Sequence, residues 1–410
     1  MPSQQNRDSQ TPMAVPALFK CPISLELMTD PVSLCTGVTY ERASIEKWLD
    51  EGNNMCPATG QVLRDQELIP NHTLRSLIHK WCQANAFCTM QTPEPPAEPV
   101  TVRQMLREID EHTPRRLETL RRVKNLAKGE RNRRCLKSQG TLPVLIRVLE
   151  RFRPTDAEHD GQAVQEAVEA IGCFSFSVDD AVTRRDLTRP PVIRTLEWVL
   201  LKGDLESRMR VAALVEKVAA DDKTAAREIG TEDGITDGLL TLFQQNLTCP
   251  TVVECSLKAL LSLCSAIKCR ARIAGAEGAV QALVELLPDA ERVVKEQALA
   301  VLEALCSTSE GRSAIMAHAL SMPTVVKSLL AVSDIATDYG VSILLAICFN
   351  CGEEQVLTDV VEMGTFEKLL ILLQMKCGQR TKHTANQLLR ILSPLRERDS
   401  YIHSSSSLQF

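Results

Sequence analysis

Aromatic residues are scarce in this chain. They make up 4% of its 410 residues, against a hydrophobic share of 44%. A core drawn from Leu, Val, Ala and Ile suits stacked helices better than a sandwich built on aromatic cross-strand pairs. No apolar run approaches the roughly 18–20 residues that span a bilayer. The N-terminus is polar, rich in Gln and Ser, and has no apolar signal core. A cationic excess is also missing: the net charge is −5 and the pI about 5.9, which disfavours nucleic acid as a partner. The expectation is a soluble protein of the cytoplasm, with the nucleus and the periphery of the plasma membrane as further sites and any membrane contact peripheral.

The chain has 15 cysteines, an odd number in a long sequence without a secretory signal, so a disulfide framework is not expected. Complete zinc knuckles are lacking too. Cys21-Pro22-Ile23-Ser24 and Cys56-Pro57-Ala58-Thr59 each read as a Cys-x-x-Cys pair whose second thiol has become a hydroxyl. A structural zinc site needs four thiolate or imidazole ligands, and a neutral hydroxyl is a poor one. No metal and no other cofactor is expected, and Cys21 and Cys56 read as buried packing. Cys264, Cys306 and Cys348 lie 42 residues apart, each ending an apolar helical run. There free Cys acts as a small hydrophobe.

Residues 1–16 read as a disordered lead and residues 17–90 as a compact domain. Within it, Asp30-Pro31-Val32 opens a strand, Thr36-Gly37 turns it, and Val38-Thr39-Tyr40 returns as a hairpin. Arg42 to Glu51 predicts a helix with Ile45, Trp48 and Leu49 on one face, ended by Gly52. A second helix carries Leu74, Leu77, Ile78 and Trp81, with Asn71 as its N-cap. Residues 91–100 form a Pro-rich linker.

Residues 101–396 are helical and repetitive, and 397–410 read as a tail. The phrase Gly140-Thr141-Leu142-Pro143 recurs around Pro191, Gly234, Gly278, Ser321 and Gly364, the last three intervals being 44, 43 and 43. The longer first interval places a polar surface loop at Arg151 to Gly161. A period near 43 with two to three helices per unit is the armadillo or HEAT signature, and the Gly-small-apolar phrase favours armadillo. Six units stack into a right-handed superhelix, with Thr384 to Ser393 as a capping helix. The basic stretch Arg115 to Arg134 reads as a solvated helix face, with an acidic partner or a membrane surface as the second reading.

The motifs Phe19-Lys20-Cys21-Pro22-Ile23, Met28-Thr29-Asp30-Pro31-Val32, Gly37-Val38-Thr39-Tyr40-Glu41-Arg42, Ile45-Glu46-Lys47-Trp48, Cys56-Pro57 and Pro70-Asn71-His72-Thr73-Leu74 resemble the U-box. With the linker and repeats, the order resembles the short plant U-box/armadillo ubiquitin ligases. The fold class implied is a small α+β U-box, RING-like without zinc, followed by an all-α armadillo-repeat superhelix. The activity implied is that of a ubiquitin transferase of the U-box class, with a link to stress or defence signalling. Its partners would be a ubiquitin-conjugating enzyme, ubiquitin, a protein substrate and, through the U-box, a second copy of the chain. No catalytic nucleophile is expected, because such ligases hold the charged carrier in a reactive pose.

By the same resemblance Ile23, Leu25, Trp48 and Pro57 contact the conjugating enzyme. Trp48 divides between contact and core, since Ile45 and Leu49 share its face. Many such domains carry a cation where this chain has Gly60, so that bridge is absent or supplied by another residue such as Arg64. In the repeats, the family pattern has the last helix of each unit lining a groove. Alignment then pairs Pro143/Arg147, Arg194/Trp198, Asp237/Thr241, Gln281/Glu285, Thr324/Ser328 and Glu367/Ile371 along it. Arg147, Arg194, Trp198, Gln281 and Glu285 are the candidate substrate contacts, Trp198 being either a groove anchor or, one register over, core. The competing readings are a non-catalytic armadillo adaptor, which Gly60 favours, and an import-type carrier. The single Trp198 disfavours the latter, which needs repeated groove tryptophans.

Overall fold

The computed structural model describes residues 15–84, 98–111, 113–174, 181–220, 222–350 and 354–406. Most of the lead, most of the Pro-rich linker and the end of the tail lie outside the described residues. The chain divides into two units, Met1–Pro96 and Ala97–Phe410.

In the first unit, β1 (Pro31–Ser33) and β2 (Thr39–Glu41) form an antiparallel hairpin, with Val32 opposite Tyr40. Gly37 at its turn takes φ +77°, which glycine adopts without penalty. The helix α1 (Arg42–Asp50) follows, and β3 (Ile69–Pro70) pairs with the free edge of β1 to give the order β2-β1-β3. The helix α2 (His72–Ala84) is capped as its sequence indicates: the Asn71 carboxamide oxygen accepts the Leu74 N–H at 3.0 Å. On α1, Ile45 is buried while Trp48 and Leu49 flank the core, which holds Met28, Val32, Tyr40, Ile45 and Ile78 around the two cysteines Cys21 and Cys56. Polar bonds tie this small core together. Asp30 takes Arg42 at 2.7 Å and Arg75 at 3.4 Å. The Glu41 carboxylate accepts the Thr29 hydroxyl at 3.0 Å and the Asp30 N–H at 3.1 Å.

The second unit is helical among its described residues. It opens with α3 (Pro99–Asp110) and α4 (Arg116–Lys128), and helix triplets follow. They are α5 (Glu130–Ser138), α6 (Thr141–Arg151) and α7 (Ala157–Gly172); α8 (Ala181–Leu187), α9 (Pro190–Lys202) and α10 (Leu205–Ala219); α11 (Lys223–Ile229), α12 (Asp233–Gln245) and α13 (Pro250–Leu263). Then come α14 (Ile267–Gly275), α15 (Ala279–Leu286) and α16 (Arg292–Leu305); α17 (Ser309–Ala317), α18 (Ser321–Ser328) and α19 (Asp334–Asn350); α20 (Glu354–Glu362), α21 (Thr365–Gln374) and α22 (Gln379–Ser406). The recurring sequence phrase marks the junction between the first and second helices of a triplet. Gly140, Gly278 and Gly364 take φ near +75° there, and the small residues after them (Thr141, Ala279, Thr365) are fully buried. The Thr141 hydroxyl returns a hydrogen bond to the Leu136 carbonyl at 2.7 Å.

The third helices α4, α7, α10, α13, α16, α19 and α22 pack each on the next as an unbroken spine. Cross-links reinforce it: Lys124 to Glu169 at 2.9 Å, Ser207 to Glu169 at 3.2 Å and Thr381 to Asp338 at 2.9 Å. Two expectations change. The polar stretch from Arg151 to Gly161 is not all loop, because α7 starts at Ala157; Gly161 lies directly beneath the Trp198 ring. The last helix runs to Ser406 instead of stopping at Ser393, with Pro394 inside it. No helix among the described residues is long and apolar enough to cross a membrane.

Candidate functional site: two matched loops of the first unit

The two half-erased knuckles fold into the same ring. In the first, the Cys21 N–H donates to the Glu26 carbonyl and the Leu25 N–H to the Cys21 carbonyl, both at 2.8 Å. In the second, Cys56 bonds Gln61 and Gly60 bonds Cys56 in the same pattern, again at 2.8 Å. The fifth residue of each is left-handed: Leu25 at φ +60° and Gly60 at φ +69°. A leucine in that region costs about 1–2 kcal/mol, so the first ring stores strain in a residue that is 72% exposed. Short bridges flank both rings, Lys20 with Leu27 and Met55 with Val62.

Hydrogen bonds converge where a metal would have drawn the loops together. The Glu41 N–H donates to the Cys21 sulfur at 3.3 Å. Burial raises the Cys21 thiol, but donors from Ser24, Glu41 and Ile23 bring it below its ordinary value. The Thr36 hydroxyl reaches the Cys56 sulfur at 3.4 Å and the Tyr40 hydroxyl at 2.9 Å. Burial pushes this thiol up as well, yet Thr36, Thr59 and Tyr40 outweigh it and carry it down to about 6. The Tyr40 phenol, raised by its own burial and by its hydrogen bond to Cys56, accepts the Ala58 N–H at 3.0 Å. The hydroxyls of Ser24 and Thr59 stand where a zinc site has its second thiols, and each accepts a backbone N–H two residues on, from Glu26 and Gln61, at 3.4 Å. Among the described residues no three His, Cys, Asp or Glu side chains gather in a metal-binding cluster.

Both rings therefore hang from adjacent residues of β2, Tyr40 and Glu41. Ile23 is 37% exposed, Pro57 is half-buried, and Trp48 is half-buried with its indole N–H on the Met55 carbonyl at 2.9 Å. Of its two expected roles Trp48 shows the core one, flanking the buried cluster, and its indole also fixes the base of the second loop. Tyr40 and Thr36 were not singled out by sequence as site residues; the usable signal was the hydroxyl at each missing ligand position.

The groove candidates were expected on the last helix of each unit, but they lie on the second helices of the triplets, because the recurring phrase opens the second helix and a third follows it. Arg147 forks onto Asp110 at 3.2 and 3.1 Å, Gln281 donates to Glu285 at 2.9 Å, and Asp237 takes Arg272 at 2.8 Å. Arg194 and Glu367 are exposed, Ser328 is buried, and Ile371 is exposed. Trp198 is half-buried against Phe152, with ring centroids 4.8 Å apart.

A metal-free U-box joined to an armadillo-type stack is the class these two units define. The description "U-box domain" matches residues 15–86, and "Plant U-box protein ARM repeat region" matches residues 101–409. U-box domain-containing protein 25 of Arabidopsis thaliana is 36% identical over 92% of this chain and 91% of its own length. E3 ubiquitin-protein ligase PUB23 of the same plant is 31% identical over 92% of each chain. The chain belongs to the plant U-box proteins with an armadillo-repeat region. A solved structure from work on the interaction between cadherin and beta-catenin superposes with a TM-score of 0.61 at 14% identity, covering 80% of this chain and 59% of the other. An engineered protein gives 0.56 at 20% identity, over 72% of this chain and 68% of its own. Both bear on the fold alone.

Proposed function

We propose that this chain is a ubiquitin ligase whose U-box docks a ubiquitin-charged conjugating enzyme on Ile23, Leu25, Trp48 and Pro57, while the armadillo region holds the protein substrate. The observation that carries the reading is the pair of closed rings, which keep Ile23 and Leu25 in water against their apolar nature. A small apolar patch on a rigid frame makes a weak, fast-exchanging interface, as a carrier that must leave after each transfer requires. The rate gain is positional: the thioester is held near its attack geometry and no ubiquitin passes onto the chain. Ile69 and Leu77, also exposed on the U-box, supply apolar surface for contact with a second copy. The described cysteines are free thiols, in keeping with a reducing compartment, the cytosol or nucleus.

The test is single-turnover discharge of a preformed conjugating-enzyme–ubiquitin thioester to free lysine. Ile23→Ala and Pro57→Ala should each reduce it at least about tenfold, to the rate of the carrier alone, with the helical signal of the repeats unchanged. Discharge at the unmodified rate by both variants moves the docking surface elsewhere. The adaptor reading has Gly60 in its favour, and it wins if the unmodified chain gives no acceleration with any conjugating enzyme of a broad panel.

A further inference from the structure

Phe349, at the C-terminal end of α19, is 76% exposed, and nothing in the U-box mechanism uses it. It borders a groove of about 540 Å³ between α19 and α22, the last two helices of the spine. Leu345, Ala346 and Ile391 provide the apolar floor with Phe349, and Arg380 and Arg390 stand on the rim; among the described residues the lining contains no carboxylate. Arg380 is 76% exposed, and its ion pair with Glu303 is long at 3.8 Å. We propose that this groove is a docking site for a peptide segment bearing a large apolar side chain beside acidic residues. The proposal rests on the armadillo region being the substrate-holding part.

Three features favour that occupant. An apolar floor with an exposed aromatic makes an anchor pocket, and its size falls in the range of specific binding clefts. Two guanidinium groups without a lining carboxylate select negative charge, and each can fork onto a carboxylate. Ser342, Thr384 and Gln387 add hydrogen-bonding groups along the wall. By contrast, Arg147 and Asp237 on the second-helix face are already paired within the chain.

The experiment uses the full chain and fluorescein-labelled twelve-residue peptides with Phe-Leu at the centre and Glu on both sides, read by fluorescence anisotropy. Replacing Phe-Leu by Ala-Ala, or every Glu by Lys, should weaken binding at least about tenfold. Phe349→Ala and the double variant Arg380→Glu/Arg390→Glu should do the same with unchanged circular dichroism, and salt should weaken the natural chain's binding. Equal binding of the Glu and Lys peptides, or full binding by both variants, overturns the site. So does capture of anionic phospholipid vesicles that is lost in these variants when no peptide binds. Adding one lysine to the peptide and assaying its ubiquitination separates the two levels of the argument. A peptide that binds through Phe349 yet is never modified sinks the substrate-holding reading and leaves the groove. Modification unaffected by the variants sinks the groove and leaves the ligase.

Discussion

Cys56 in the U-box and Cys264 and Cys306 in the armadillo region are all closed to solvent, but Cys56 lies shallow in a small domain and the other two lie deep in the stack, and their thiols stand at opposite ends of the scale. Burial is opposed at Cys56 by hydroxyl donors, and the thiol falls to about 6. At Cys264 and Cys306 burial dominates, and both rise to about 12. The difference separates two ways of holding a domain together. The U-box has too small a core to rely on apolar burial and uses directed polar bonds at fixed positions. The solenoid repeats one apolar arrangement down its spine, so no single contact defines it.

The comparison can be broken or sharpened by four measurements, beginning with the largest effect. Leu257 is fully buried in α13 between its neighbours in the spine. Leu257→Ala should cost about 2–5 kcal/mol, and hydrogen exchange should rise in α10, α13 and α16 while the U-box is untouched. Spread of the loss into residues 18–84 breaks the picture of separate units. Asp30→Ala removes the acceptor of Arg42 and Arg75 and should cost about 1.5–3 kcal/mol, seen as faster exchange in residues 28–50 and 71–80. A loss below about 0.5 kcal/mol would rank this pair with ordinary surface bridges.

The third measurement is a pH series. The Cys56 thiol is lowered in the fold from 9.0 to about 6, so between those values the unfolded chain binds the proton better. Its contribution is full above pH 9, shrinks as pH falls and is gone below about 6. Exchange protection around residues 36–63 should therefore weaken from pH 9 to 6 after correction for intrinsic rates, and Cys56→Ala should flatten the trend. Segments around Cys264 and Cys306 should show no such slope in this window. The smallest effect is expected at Gly60. Its φ of +69° makes Gly60→Arg cost about 1 kcal/mol of backbone strain, but a Cβ there meets no atom within 4 Å, and Leu25 holds the same conformation in the matching ring. A charge-assisted bridge to carrier and ubiquitin, discounted for exposure, should still speed discharge a few-fold. Slower discharge would make Gly60 a turn residue and nothing more.

Local chemistry was legible in the sequence. Asn71 capped as expected, the hairpin closed at Gly37, and the Gly-small phrase found the helix junctions because a left-handed corner and a buried small residue leave a direct mark. What depended on neighbours distant in sequence was hidden. The polar stretch that begins α7 at Ala157 gave no sign in the sequence that Trp198 would lie over Gly161. The capping helix expected over Thr384 to Ser393 runs on through Pro394 to Ser406, and α22 packs along α19 and α21. The sequence put the substrate groove on the last helix of each unit, whereas its candidate residues fall on the second helices of the triplets. Which of their charges were already spent, such as Arg147 on Asp110, became visible only once α3 and α6 were in contact.

The rings around Cys21 and Cys56 also bear on the order of events during folding. Each closes within six residues, so little chain entropy opposes closure, and segments this short can close in well under a microsecond. The bond from Tyr40 to Cys56 spans 16 residues and the bond from Glu41 to Cys21 spans 20, and both require β2 to be in place. The shape of the docking loops can therefore exist before their position does, and assembly of the sheet becomes the step that brings two preformed pieces onto one surface.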